Sequence, residues 1–371
     1  MKQKIYSVIL AGGKGTRFWP LSRAQRPKQL LSILSSKTLV RETAERMFPL
    51  SGPDRTLVVT VAEQLKDLSR ELSALPRRNF IVEPEGKNTA PCIGLSALEV
   101  VARDPDGVML VVPADHWVAD RRAFRRTLEN ADRLASTGNH LVTIGIRPDY
   151  PETGYGYILK GNVVRGSSIA GARQVKRFQE KPDAITARRL IRKGALWNSG
   201  MFAWRASALL EALQRHQPGI AALLNKIRAA SAGKSLTRPS PRLAHLITRE
   251  YNKMPSISVD YAVLEKAAAA GRVVTVEGTF GWSDIGSWSA VHRMMQRDDN
   301  GNAANGRWLG LGAKNCLIHA PDRLVVLLGI EGAVVVDTPD ALLVGDLKRA
   351  QEVRELVEEL KKKGLSSYTI K

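Results

Sequence analysis

The stretch LAGGKGTRFWPLSRAQRPKQLL, Leu10 to Leu31, follows directly on the apolar run Ile5 to Leu10 and carries three glycines, three arginines and two lysines without a single acid. A β-branched run ending in Gly12, Gly13 and Gly15 predicts a strand that closes in a tight turn, its backbone amides able to approach an anion. The turn is not a Walker loop, which needs Gly-Lys-Ser/Thr five residues after its first glycine. Nor is it a dinucleotide fingerprint, because Phe18 stands where that motif needs glycine. A glycine-rich strand-to-helix turn is often only structural. Arg17 and Lys28 add a chemical purpose, since two fixed cations beside such a loop suit a polyphosphate.

Working outward, apolar runs recur at 57–61, 80–82, 108–112 and 141–146, with helical spacing near 38–48, 62–75, 89–103 and 121–137. Strand alternating with helix predicts an α/β fold with a mainly parallel sheet covered on both faces, and ligands in such sheets bind beyond the carboxyl ends of the strands. The loops that matter are then AGGKGTR, EPEGKNTAP and PADHW. In the second, Asn88 can be a plain helix cap, with Pro91 in the first turn. In the third, Asp115 ends a very apolar strand. An acid there is a helix cap or a cation ligand, and Asp284 of GWSDIGSW is a second candidate ligand.

From 150 to 290 the pattern is irregular, with ETGYGYI, FQEKP, LWNSGMFAW and GWSDIGSW separated by helical stretches such as 207–229. After a polar break at 297–305, short apolar runs at 316–318, 324–328, 333–336 and 342–344 predict a small all-β unit. A terminal helix over 348–363 follows, with Asp346 as N-cap, Ala350, Val353, Val357 and Leu360 on one face, and Gly364 past its end. It is expected to cap the β unit or pack on a partner subunit.

The chain has 371 residues, 44% of them hydrophobic, enough for one large domain and a smaller one. Its formal charge of +20 attracts polyanions in general, and the excess is scattered along solvated helix faces such as 121–126, 188–193 and 361–363. No apolar run reaches the roughly 20 residues of a bilayer span, and the N-terminal run has neither the length nor the cleavage site of a signal peptide. Cys92 and Cys316 form no disulfide framework or metal cluster, so a cytoplasmic location is expected.

Taken together and in order, LAGGKGTRFWPLS with RPKQ, EPEGKNTAP, PADH, TGYGYI, EKP, WNSGMF and GWSDIGSW resemble the mannose-1-phosphate guanylyltransferases of the sugar-nucleotide transferase superfamily, from Ile5 to the end of the chain. The resemblance implies a Rossmann-like mixed sheet flanked by helices, with a catalytic domain over 1–290. A linker, a β-helix-like unit and a terminal helix follow over 291–371. It implies nucleotide contacts at Leu10, Gly12, Gly13, Gly15, Glu83 and Asn88, and catalytic cations at Arg17 and Lys28. It further implies a Mg²⁺ site at Asp115 and Asp284, and sugar-phosphate contacts at Gly154, Tyr155, Glu180, Lys181 and Asn198. Bifunctional members continue into an isomerase domain, for which this chain is too short. The substrates implied are GTP and mannose 1-phosphate, in a homodimer formed through the C-terminal region, with no nucleic-acid or membrane partner. A related transferase for another base or hexose remains an alternative. A nucleic-acid-binding protein is a remoter one, since the tryptophans sit beside Gly, Asn and Asp instead of along a concentrated basic stripe.

Overall fold

The computed structural model describes residues 4–13, 15–167, 169 and 171–370. The chain forms two compact units, neither continuous in sequence: 1–12, 43–114 and 118–282 make the first, and 13–42, 115–117 and 283–371 the second. The expected boundary at 290/291 divides the chain lengthwise, whereas packing groups the glycine-rich stretch with the C-terminal residues.

In the first unit the chain runs through β1 (Ile5–Leu10), α1 (Leu39–Ser51), β2 (Thr56–Val61), α2 (Ala62–Glu71), β3 (Phe80–Glu83), α3 (Thr89–Arg103) and β4 (Val108–Pro113). It continues through β5 (Trp117–Val118), α4 (Arg121–Thr137), β6 (Leu141–Ile146), β7 (Tyr157–Val163), β8 (Arg173–Gln179), α5 (Ala184–Arg192) and β9 (Leu196–Arg205). Then come α6 (Ala206–His216), α7 (Pro218–Ser231), α8 (Pro241–Tyr251), a π turn at Asp260–Leu264 leading into α9 (Glu265–Ala269), β10 (Val273–Gly278) and β11 (Trp282–Ser283). Nine strands form one sheet in the order β3-β2-β1-β4-β9-β6-β10-β8-β7. Neighbours from β3 to β4 are parallel, and the long β9 is antiparallel to both β4 and β6. This is the mixed, mainly parallel sheet expected. The unbroken burial of β2, β4 and β6 follows from helices on both faces. The single helix expected over 207–229 is two, because Pro218 has no amide to continue α6 and instead opens α7 at its first position.

In the second unit α10 (Trp288–Met294) precedes a four-stranded sheet, β12 (Ala303–Leu311), β13 (Leu317–Leu328), β14 (Ala333–Asp337) and β15 (Leu342–Asp346), paired in that order. β12 to β14 are parallel and β15 is antiparallel. β12 begins inside the expected polar break, and the runs at 316–318 and 324–328 are one strand. The terminal helix starts with a 3₁₀ stretch, Leu347–Glu352, capped by Asp346, which accepts from the Lys348 amide at 2.8 Å, and becomes α11 (Val353–Lys362). Gly364 ends it at φ +77°. The apolar face of α11 lies inside its own unit: Ala350, Val353 and Val357 are buried in one core with Phe18, Trp19, Leu31, Ile285, Trp288 and Val334.

That core is closed by the last residues. The short α12 (Ser367–Ile370) sends its carbonyls back to the glycine-rich stretch: Ala24 N donates to Thr369 O and Gln25 N to Ile370 O, both at 3.0 Å, and Trp19 Nε1 to Tyr368 O at 2.8 Å. Arg23, 6% exposed, donates to Pro20 O, to Tyr368 O and, at 2.8 Å, to the Asp340 carboxylate. Truncating a buried guanidinium leaves these acceptors without it. Arg23→Ala is therefore expected to cost about 2–4 kcal/mol in denaturant melts and to speed hydrogen exchange at the Ala24 and Gln25 amides. Unchanged exchange there would show that Arg23 does not hold the terminal segment.

Candidate active site

Gly15 fixes the geometry of the glycine-rich turn. It sits at φ +61°, and a Cβ added to it would lie 2.2 Å from Lys28 Cβ and 2.9 Å from Lys28 N, so only glycine lets the turn and the Lys28 backbone touch. Gln29 Nε2 donates to Gly13 O at 3.0 Å and holds the same pair of segments. The Phe18 ring, edge-on to Trp288 at 5.0 Å, lies under the lysine, whose Nζ is 5.6 Å from the ring centre. Lys28 Nζ is thereby directed at the Asp115 carboxylate, 2.9 Å away, and at the Asp284 carbonyl, 2.5 Å away. Burial opposes ionisation of Asp115, but the neighbouring Lys28 outweighs it and holds the carboxyl below its usual range.

Asp115 and Asp284, distant in sequence, thus meet around one ammonium. With Arg17, Lys28, Thr16, His116 and Gly286 they line a cleft of about 510 Å³ within the second unit, and Arg354, Glu358 and Lys361 of α11 line it too. The Asp115 carboxylate and the Asp284 backbone carbonyl supply hard oxygen donors where a cation is already held, and donors of that kind suit a small divalent metal ion. Among the described residues there is no group of three or more His, Cys, Asp or Glu side chains suited to a metal.

The first unit holds the other expected residues. Leu10 ends β1. Gly12 lies over Glu83, since a Cβ there would be 3.1 Å from Glu83 Oε1, and the Tyr251 hydroxyl donates to Glu83 Oε2. Asn88, at φ +66°, caps α3 by accepting from the Thr89 amide at 2.8 Å, the bland role of that residue.

Lys181 and Asn198 are joined to the Gly154–Gly156 turn through the backbone: Lys181 N donates to Tyr155 O at 3.1 Å and Asn198 N to Gly156 O at 2.8 Å. Lys181 Nζ contacts Glu180 Oε1 at 2.9 Å. Burial disfavours its charge, but the Glu180 hydrogen bond and charge prevail and raise its pKa. Gly154 donates its amide to the Glu152 carboxylate at 2.9 Å, whereas Gly156 is the glycine under Glu180: its Cβ would meet Glu180 Oε2 at 2.5 Å. Tyr155 packs edge-on against Trp197 and Trp282, at 5.2 and 5.4 Å.

Sequence reasoning missed Tyr251, Gly156 and Asp260. Asp260 accepts from Asn198 Nδ2 at 2.9 Å, and burial together with the Glu180 charge pushes its carboxyl up to about 7. One acid in the apolar run around Val259 and Ala262–Leu264 was the signal available for it.

Comparison with known proteins agrees with the motifs. Residues 6–301 match the nucleotidyl transferase family, and 306–360 match the MannoseP isomerase/GMP-like β-helix domain. The xanthan biosynthesis protein XanB of Xanthomonas campestris pv. campestris (strain B100) is 40% identical over 98% of this chain and 75% of the relative. The mannose-1-phosphate guanylyltransferase of Escherichia coli (strain K12) is 37% identical over 100% of this chain and 76% of the relative. A Thermus thermophilus crystal structure described as a mannose-1-phosphate geranyltransferase superposes with a TM-score of 0.85 at 34% identity, covering 97% of this chain and 100% of that one.

Glu83 gives the site a pH signature. Burial raises its carboxyl from 4.5 to about 7, although the Tyr251 hydrogen bond pulls it partly back. A raised folded-state pKa contributes stability that is fully present below 4.5 and lost as pH rises through 7. Glu83→Gln removes that dependence. Relative to the parent it should gain roughly 1–3 kcal/mol between pH 5 and pH 8, measured by denaturant melts at both pH values. An identical difference at the two would mean the carboxyl is ionised throughout.

Proposed function

The chain belongs to the nucleotidyl transferase family, and on that footing we propose that it is a mannose-1-phosphate guanylyltransferase, which transfers GMP from GTP to mannose 1-phosphate and releases GDP-mannose and pyrophosphate. The observation that carries the reading is the Lys28 ammonium held between the Asp115 carboxylate and the Asp284 carbonyl, in a cleft walled by Arg17 and the glycine-rich turn. A phosphate monoester has its second pKa near 6, so the attacking oxygen is largely ionised at neutral pH and needs no general base. The new P–O bond forms at the α-phosphorus as the bond to the bridging oxygen breaks, and the electron pair leaves with pyrophosphate.

The protein then has to position charges and neutralise them. Lys28 and Arg17 take the charge of the nucleotide phosphates, with Gly12, Gly13 and Gly15 keeping side chains out of the way. Lys181, tied to Glu180, takes the phosphate of the sugar. Tyr155, with Trp197 and Trp282 behind it, offers a flat apolar wall for the pyranose, and Asn198 and Glu180 offer hydrogen bonds to its hydroxyls. Glu83 and Asn88 are our candidates for base contacts, with Tyr251 orienting Glu83. Nucleotidyl transferases of this family use a divalent metal, and Asp115 and Asp284 suit Mg²⁺ in particular, which when bound would neutralise phosphate charge. Among the described residues no helix is long and apolar enough to cross a membrane, and we propose a cytoplasmic location with small molecules as the only substrates.

We also propose a homodimer through the second unit. In the β12–β13 register Leu309 lies beside Val326 and Leu311 beside Leu328, all four exposed, while Leu327 on the opposite face is buried. Such an apolar face on a folded surface is suited to a second copy. Leu311→Glu with Val326→Glu should halve the mass seen in sedimentation; an unchanged mass would remove this face from the interface.

The functional reading is tested by assaying pyrophosphate release for each common nucleoside triphosphate crossed with each hexose 1-phosphate. GTP with mannose 1-phosphate should lead by at least about tenfold in kcat/KM, and any other leading pair would replace the assignment. Lys181→Ala should raise KM for mannose 1-phosphate by about 10–100-fold with little change for GTP. Asp115→Asn and Asp284→Asn should each raise the Mg²⁺ demand and combine far less than multiplicatively. A parent-like Mg²⁺ response in both would exclude a shared metal site.

A further inference from the structure

The cleft around Lys28 has a wall that the reaction as described does not use. The apolar seam of α11, Val353, Val357 and Leu360, packs into the core that holds Phe18 and Trp288. Arg354, Glu358 and Lys361 follow that seam one position on at i, i+4 and i+7, so they form a single row along the helix. All three line the same cleft as Thr16, Arg17, Lys28, Asp115 and Asp284. Lys28 is engaged by Asp115 and by the Asp284 carbonyl, so its charge is already partly offset. The roughly three negative charges of the β- and γ-phosphates at the far end of a nucleoside triphosphate need more cations than Arg17 alone provides.

We propose that Arg354 and Lys361 bind the β- and γ-phosphates of the nucleotide and the pyrophosphate they become, so that α11 is part of the substrate site. This rests on the nucleotidyl-transfer reading above. Glu358 sets the strength of the grip. Its Oε1 lies 2.9 Å from Lys361 Nζ, so it competes with the phosphate for that ammonium and keeps the product from being held too tightly. The opposing sign of Glu358 separates this role from a merely structural one. Loss of an ordinary surface pair would affect the two partners alike, whereas here removing the cation weakens the anion and removing the acid strengthens it.

The decisive measurement is calorimetric titration of the full chain with inorganic pyrophosphate in the presence of Mg²⁺. Arg354→Ala and Lys361→Ala should each weaken binding about three- to tenfold, less at high salt, as expected for partly exposed charge-assisted bonds. Glu358→Gln should tighten it about two- to fivefold, and Lys362→Ala, paired with Glu359 and absent from the cleft, should leave it unchanged. Arg354→Lys keeps the charge and should retain most of the affinity, which separates lost charge from lost folding. In the reverse reaction KM for pyrophosphate should rise while KM for GDP-mannose stays put. Pyrophosphate affinities of Arg354→Ala and Lys361→Ala within twofold of the parent overturn the proposal, as does weakening by Glu358→Gln. A parent chain that fails to turn over GDP-mannose would sink the functional reading instead, and the titration would still decide the role of α11.

Discussion

The close approach of Gly15 to Lys28 is the constraint on which the site of the second unit depends. The turn has a left-handed glycine because a side chain there would collide with the lysine backbone, and from that position the lysine reaches Asp115 and the Asp284 carbonyl. Backbone contact is a stiffer support than a flexible side-chain bond, and Lys28 is almost fully buried although it carries a charge. Desolvating an ammonium is costly unless partners are in place, and here one carboxylate and one carbonyl provide them.

Much of this was legible in the sequence, for reasons that differ by element. β1, β4 and β6 announce themselves because they are buried on both faces, so their apolar runs are continuous and their ends are marked by Gly12, Pro113 and Arg147. The phosphate-suited turn was readable because the glycines, Arg17 and Lys28 lie within one short span. What stayed hidden depends on long-range contact. Nothing local in Tyr251 says that its hydroxyl meets Glu83, or in Asp260 that it meets Asn198. β12 was concealed because only one of its faces is covered and its start is polar, so neither a continuous apolar run nor a clean alternation is present. The grouping of Gly13–Glu42 with the C-terminal residues is likewise invisible along the chain, since it arises from the buried aromatic contacts of Phe18, Trp19 and Trp288.

The first unit meets the opposite electrostatic problem. The carboxyl of Asp260 is pushed up to about 7 by burial and by the Glu180 charge, while Glu83 reaches about 7 through burial alone. Two acids held near neutrality beside Asn198 and Tyr251 can donate as well as accept hydrogen bonds, which suits recognition of hydroxyls and ring amides better than of bare anions. Lys181 supplies the compensating charge from a residue whose backbone is itself unusual, at φ +43°, bonded to Tyr155 O. The Lys181 ammonium is thus paired with the Glu180 carboxylate beside Asp260, whose own carboxyl is held high.

If α11 grips the phosphates as proposed, its seating gives the β unit and its helix a part in this chemistry. A helix whose charged row was needed only for solubility could turn that row anywhere away from the core. Here the seam of Val353, Val357 and Leu360 is fixed by Phe18 and Trp288, and Phe18 is also the ring beneath Lys28. Rotating α11 to bring Arg354 and Lys361 out of the cleft would expose that seam, at roughly 1.5–3 kcal/mol for each large apolar side chain. The rotation of the helix and the position of the lysine are thus settled by the same aromatic packing. An amphipathic pattern that in sequence suited a cap for the β unit or a contact with a partner subunit sets two more cations in the cleft of the glycine-rich turn, and the scattered basic charge of the chain acquires, at this one row, a defined direction.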